Sequence, residues 1–134
     1  MGYRQFRPAL AILTTLNVLT LRHDMLDILD TPHVYMYTVH MGDLRFEWDE
    51  AKNRTNRRKH GISFEEAQTA FLDENAMRYF DPEHSGDEDR FLLLGMSWRI
   101  RVLVVCHCFR VDDSIVRIIS ARRADKKESN EYWS

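Results

Sequence analysis

Three β-rich runs separated by very short connections constrain this chain most. Residues 90–96 are rich in leucine, residues 100–109 are rich in valine, and residues 115–123 complete the series. A parallel crossover needs a connection of about a dozen residues or more, so these neighbours must run antiparallel. They form a β-meander. Gly95 inside the first run marks an expected bulge. The stretch Val111-Asp112-Asp113-Ser114 supplies the second turn.

Upstream, Leu44-Arg45-Phe46-Glu47-Trp48 alternates as a short strand does. Asp49 is placed to cap a helix. The next stretch lacks proline and glycine as far as His60, and Gly61 is placed to end the helix at C′. This helix is polar almost throughout, so it should be largely exposed. Ser63-Phe64-Glu65-Glu66 has the capping-box pattern, and Phe64, Ala67, Ala70 and Phe71 make an apolar stripe on a second helix. Residues 77–80 read as a strand and 81–89 as an acidic loop punctuated by Pro82 and Gly86. Asp125 and Glu128 form another capping box, opening a short helix through Tyr132 and Trp133, which should cover the sheet edge, with base stacking as the alternative. Trp48 is expected in the core, with base stacking as the alternative. The class is α+β: a short N-terminal strand and two helices packed on an antiparallel β-meander, closed by a short C-terminal helix.

Composition divides the chain near residue 43. Residues 1–46 contain no Glu and residues 1–51 no Lys, although the 134-residue chain is 30% charged. Residues 1–43 are therefore expected to be an N-terminal extension and 44–134 the globular domain. The extension starts with Arg4 and Arg7 and continues as an apolar run over residues 8–21. It resembles a secretory leader but lacks a small-x-small cleavage site. It is too short to span a bilayer, which takes about 20 apolar residues; an extra helix is the other reading. A third is that translation begins at Met41. Val34-Tyr35-Met36-Tyr37-Thr38 can be encoded by GTG-TAC-ATG-TAC-AC, which is its own reverse complement, as an operator ahead of a start codon would be. The genomic sequence tests this: without an inverted repeat there, the idea has no support.

The net charge of −2 hides an uneven distribution. Residues 52–59 carry five basic groups and no acid, whereas residues 73–89 hold seven acids. Arg99, Arg101, Arg110, Arg117, Arg122 and Arg123 lie along the last two strands. A basic surface built from the first helix and these strands suits a phosphate-bearing partner. Arginine grips phosphate through a planar, permanently charged fork. RNA held against such groups can be cut without metal, by attack of its 2′-OH on the adjacent phosphorus. That chemistry needs cations for the phosphorane charge and a group to move protons. Lys59, His60 and His107 could move protons. His107 shares a strand face with Arg101, Leu103, Val105 and Phe109 by alternation. Arg122 and Arg123, being adjacent, must point to opposite faces. No metal or other cofactor is implied. Asp87-Glu88-Asp89 reads as loop solvation, and Cys106 and Cys108 read as free thiols in a reducing cytoplasm.

Taken in order, the motifs resemble a known family. Phe46-Glu47-Trp48-Asp49, Lys52, Asn56 and Lys59-His60-Gly61-Ile62-Ser63-Phe64 resemble the opening signature of the BrnT toxins. Residues 90–95, Ser97, Arg101, residues 103–105, residues 117–124, Glu128 and Tyr132 are similar to the rest of its pattern. The resemblance covers residues 44–133. It implies a RelE-like fold, a ribonuclease activity that arrests growth, a BrnA-type antitoxin as partner, and operator DNA bound only through the complex. It implies an active surface of Lys59, His60, Arg101, Arg122 and Arg123, with His107 as a further member. In that surface Arg101 and Arg122 clamp the scissile phosphate, Arg123 positions the flanking backbone, and Lys59 or His60 assists proton transfer. Lys52, Arg57 and Arg58 steer RNA, with Arg99 and Arg110 as further RNA-binding groups. Such a toxin would be cytoplasmic, with no membrane partner. Two other functions fit the same residues: an inactive homologue acting as antitoxin-binding co-repressor, and a nucleic-acid-binding protein without chemistry.

Overall fold

Strand pairing follows the short turns. The computed structural model describes residues 4–5, 20–23, 36–41, 44–110 and 113–134. In chain order the strands are β1 (Arg4–Gln5), β2 (Thr20–His23), β3 (Met36–Met41), β4 (Leu44–Asp49), β5 (Met77–Phe80), β6 (Arg90–Met96), β7 (Val102–Arg110) and β8 (Ile115–Arg123). Among the described residues they form one sheet in the order β1-β5-β6-β7-β8-β4-β3-β2. Strands β6, β7 and β8 are the expected meander, β5 adds antiparallel to β6, and β4 joins β8 in parallel. The helices are α1 (Glu50–His60), α2 (Phe64–Ala67), which tightens into a 3-10 turn over Gln68–Leu72, and α3 (Lys126–Trp133). Strands β4 to β8 and these helices make up the expected α+β unit. No helix among the described residues is long and apolar enough to cross a membrane.

The apolar stripe of α2 and the 3-10 turn lies on one sheet face. Phe64, Ala67, Ala70 and Phe71 are buried there with Phe46, Trp48, Leu93, Leu103, Val105 and Ile118. Trp48 is thus a core anchor. Helix α3 packs at the other face, where Tyr79 of β5 donates its hydroxyl to Glu131 at 2.9 Å. Tyr132 is half-buried and donates to Asp73 at 2.7 Å, whereas Trp133 stays exposed.

Gly95 does not make the expected bulge. It pairs in register with Leu103. A Cβ there would meet the Ala70 carbonyl oxygen at 2.9 Å and the Ala76 Cβ at 3.1 Å. The glycine lets the 3-10 turn lie close on β6. Gly95→Ala should therefore destabilise the fold by about 1–3 kcal/mol, read as a lower urea midpoint. The irregularity lies instead between β7 and β8: Cys106 pairs with Ser120, but His107 pairs with Ile118, so Ile119 is the extra residue.

Helix α1 has almost no apolar face and docks through two buried amides. Asn53 accepts from the Phe64 N–H at 2.8 Å and donates to Glu65 at 2.9 Å. Asn56 lies against β8 beyond its last pairing with β4. Its Oδ1 accepts from the Ala121 N–H at 3.1 Å, and its Nδ2 donates to the Ala121 and Ile62 carbonyls at 2.8 Å each. The side chain thus satisfies the backbone of a strand edge that has lost its neighbour.

The β6–β7 turn corrects a second expectation. Residue 100 is not in the strand; Ile100 sits at the turn with φ 59° and is 80% exposed. Its N–H donates to the Ser97 carbonyl, and the Ser97 N–H donates to the Arg101 carbonyl, both at 2.9 Å. A left-handed backbone costs an L-residue roughly 1–2 kcal/mol. The extra helix or leader expected from the apolar run falls outside the described residues, except that residues 20 and 21 open β2. Val111 and Asp112 of the second turn also lie outside them.

Candidate RNA-binding and catalytic surface

Local rules at the end of α1 start the site. Asp49 caps the helix by accepting from the Ala51 N–H at 2.8 Å. Gly61, at φ 70°, ends it, and its N–H donates to the Arg57 carbonyl at 2.9 Å. Arg57, Arg58, Lys59 and His60 fill the last turn, where the negative end of the helix dipole favours cations. The turn at Gly61 aims its carbonyl at Arg101, which donates an Nη2 hydrogen at 3.5 Å.

Arg101 is held by a residue whose sequence context marks it only as a helix cap. Glu66 of α2, only 4% exposed, accepts from Arg101 Nε at 2.9 Å, from Arg101 Nη2, and from the Ser97 hydroxyl at 2.7 Å. Burial alone would raise the Glu66 pKa. The hydrogen bonds from Arg101 and Ser97, with the charge of Arg101, outweigh it and hold the carboxyl below its ordinary 4.5. The Ser63 box is consequently half formed. Ser63 accepts from the Glu66 N–H at 3.1 Å, while the Glu66 side chain turns to Arg101.

The bulge decides which terminal arginine joins Arg101. Val116 and Ile118 face the core, so plain alternation would send Ser120 and Arg122 the same way. The extra Ile119 reverses the parity. Ala121 faces the core, and Arg123 pairs with Leu103 on the helix-covered face that Arg101 shares. Arg122 pairs with Val104 on the other face. There it makes a bidentate pair with Glu128 of α3, at 2.7 and 3.0 Å, while Glu128 also closes its own capping box. The structure therefore sets Arg101 against the His60–Gly61 corner, with Arg123 on the same sheet face and Arg122 on the other, so the expected Arg101–Arg122 clamp does not form.

The other predicted groups fall into distinct places. Lys52, Lys59 and His60 line a groove of about 320 Å³ with Thr55, Ile119 and Ser120. Arg57 and Arg58 lie with Arg54 on an adjoining face of α1. Arg99 stays at the β6–β7 turn, its guanidinium 5.1 Å from the Trp98 ring centre. Arg110 lies at the far end of β7, where its Nε is 3.5 Å from Glu47. His107 is fully buried among Phe71, Phe91 and Phe109, with ring centres 4.8, 6.0 and 5.3 Å away. Its Nδ1 is 3.1 Å from the Val105 carbonyl; a carbonyl only accepts, so Nδ1 carries the proton. Nε2 has no hydrogen-bond partner among the described residues. A ring so enclosed cannot reach a polynucleotide.

The corner thus presents cations from α1, the β6–β7 turn and the end of β8. A family model described as "Ribonuclease toxin, BrnT, of type II toxin-antitoxin system" matches residues 48–128. The chain belongs to the BrnT family. The match runs from the core anchor Trp48 to Glu128, the partner of Arg122, and so takes in every basic group of the corner. BrnT toxins are ribonucleases paired with an antitoxin, which gives this chain an antitoxin partner in kind. Among solved structures, the ribonuclease toxin BrnT of Brucella abortus is similar at 26% identity and a TM-score of 0.44, over 59% of this chain and 94% of that one. No curated protein matches.

Proposed function

We propose that this BrnT-family toxin is a metal-independent endoribonuclease of RelE-like design that cuts RNA by attack of the 2′-OH on the adjacent phosphorus. The observation that carries the reading is the contact of Arg101 with Gly61, which sets a guanidinium against the Lys59–His60 end of α1. Arg101 and Arg123 hold the scissile phosphate and stabilise the charge that develops on it. Glu66 fixes the Arg101 fork, leaving Nη1 free of the carboxylate. Lys59 or His60 moves protons to and from the reacting oxygens. Lys52, Arg57 and Arg58 raise the local concentration of RNA by charge. Arg122 braces α3, Arg110 braces β4, and His107 supports the core. The partner is a BrnA-type antitoxin, with operator DNA contacted only through the complex, and the site of action is the cytoplasm.

Purified toxin should cut single-stranded RNA equally well with EDTA present and leave 2′,3′-cyclic phosphate ends. Cleavage only after Mg²⁺ addition would overturn the metal-free route. Arg123→Ala should lower kcat/KM at least about tenfold with the unfolding midpoint unchanged, because Arg123 is exposed. Full activity in that variant would remove Arg123 from the clamp.

A further inference from the structure

The β6–β7 turn carries Trp98, which is 65% exposed, beside Ile100, which is 80% exposed. Neither contributes to the core. Ile100 also sits at a positive φ that a β-branched residue adopts only under strain. Strain retained at an exposed turn points to a task for that turn. The turn is nonetheless well anchored. The Trp98 N–H donates to the Thr69 hydroxyl at 3.0 Å, Thr69 donates to the Glu66 carbonyl at 2.6 Å, and the Ser97 hydroxyl donates to the Glu66 carboxylate at 2.7 Å. The backbone under Trp98 is therefore fixed three residues before Arg101, and Arg99 lies 5.1 Å from the centre of its exposed indole ring.

We infer that Trp98 is a stacking platform for an unpaired base of the RNA, seated next to the phosphate that Arg101 grips. This deepens the ribonuclease reading and rests on it. Charge complementarity selects the occupant. Arg99, Arg101, Arg123, Lys59 and His60 surround one end of the sheet, and a polyanion whose bases are free to stack satisfies both the cations and the indole. Ile100 extends the apolar floor beside the ring. Any base offers a π-face, so the platform sets where the strand lies and how firmly it is held, with little sequence preference.

The test uses a Trp133→Phe background, because Trp48 is buried and Trp133 is the other exposed indole. The probe is a short single-stranded 2′-deoxyoligonucleotide, compared with an abasic strand of equal phosphate number. The base-bearing strand should quench Trp98 fluorescence and bind more tightly than the abasic one. Trp98→Ala should weaken its binding roughly 5- to 150-fold, and Trp98→Phe should restore most of the loss. On cleavable RNA, Trp98→Ala should raise KM more than it lowers kcat. Equal affinity for the two strands, or unchanged binding by Trp98→Ala, overturns the platform. So does a Trp98 signal that only the antitoxin alters. If the wild type quenches with the base-bearing strand but cuts no RNA, the platform stands and the ribonuclease reading falls. If it cuts RNA but Trp98→Ala matches it in every respect, the platform falls and the ribonuclease reading stands.

Discussion

Replacing Arg101 with alanine should destabilise the protein by about 3–5 kcal/mol, before any effect on chemistry is measured. The variant leaves the Glu66 carboxylate, 4% exposed, without its main counter-charge, and losing one partner of a buried ion pair costs about that much. Equilibrium urea unfolding measures it. A loss below about 1 kcal/mol would mean that the pair contributes little. Loss of toxicity in Arg101→Ala would then say nothing by itself about catalysis. The informative comparison adds Glu66→Gln to it, which removes the stranded charge. If Glu66 serves only to hold Arg101, the double variant should recover part of the stability and none of the RNA cleavage. Glu66 also adds acid sensitivity. Its folded pKa lies below 4.5, so its stabilising effect is full above that value and is lost as pH falls through the folded pKa.

The second large effect belongs to His107 and appears in a higher pH window. Burial pushes its pKa down, helped by the charge of Arg78 and opposed by the hydrogen bond to Val105, from 6.5 to about 4. Between those values the unfolded chain takes up a proton that the folded ring refuses. Stability from this source is full above pH 6.5 and falls as pH drops towards 4, in total by about 3 kcal/mol at 1.36 kcal/mol per unit. Urea unfolding at pH 7 and pH 4.5 should show most of that loss, with the pH 4.5 protein less stable. His107→Leu should remove the slope in this window and leave the Glu66 slope below it. A wild-type protein whose stability is flat from pH 7 to 4.5 would contradict a neutral, enclosed ring.

Both effects arise from residues whose importance was unevenly visible in the sequence. The meander, the ends of α1 and the capping box of α3 were legible because turn length, Asp49, Gly61 and the Asp125–Glu128 pair act over a few residues. The buried stripe of α2 was legible for the same reason. The Glu66–Arg101 pair was not, because it joins positions far apart in the chain and Glu66 had a sufficient local explanation as a capping residue. The placement of Arg122 and Arg123 failed differently. Alternation correctly sent them to opposite faces, but a single extra residue at Ile119 decided which went where, and nothing in the sequence around Ile119 announces it. A glycine in a strand often marks a bulge, whereas Gly95 marks the close approach of Ala70. Trp98 lies between two strands, where side-chain direction cannot be read from periodicity.

The bond set of Asn56 makes one side-chain amide the fastening of a whole helix. Its Nδ2 donates to two main-chain carbonyls, those of Ala121 and Ile62. Asn56→Asp would replace that donor with a carboxylate oxygen, placing negative charge against two acceptors in a buried position. One near-isosteric change would then unfasten α1, and the Lys59–His60 corner with it, so this variant should unfold at a lower urea concentration than the wild type.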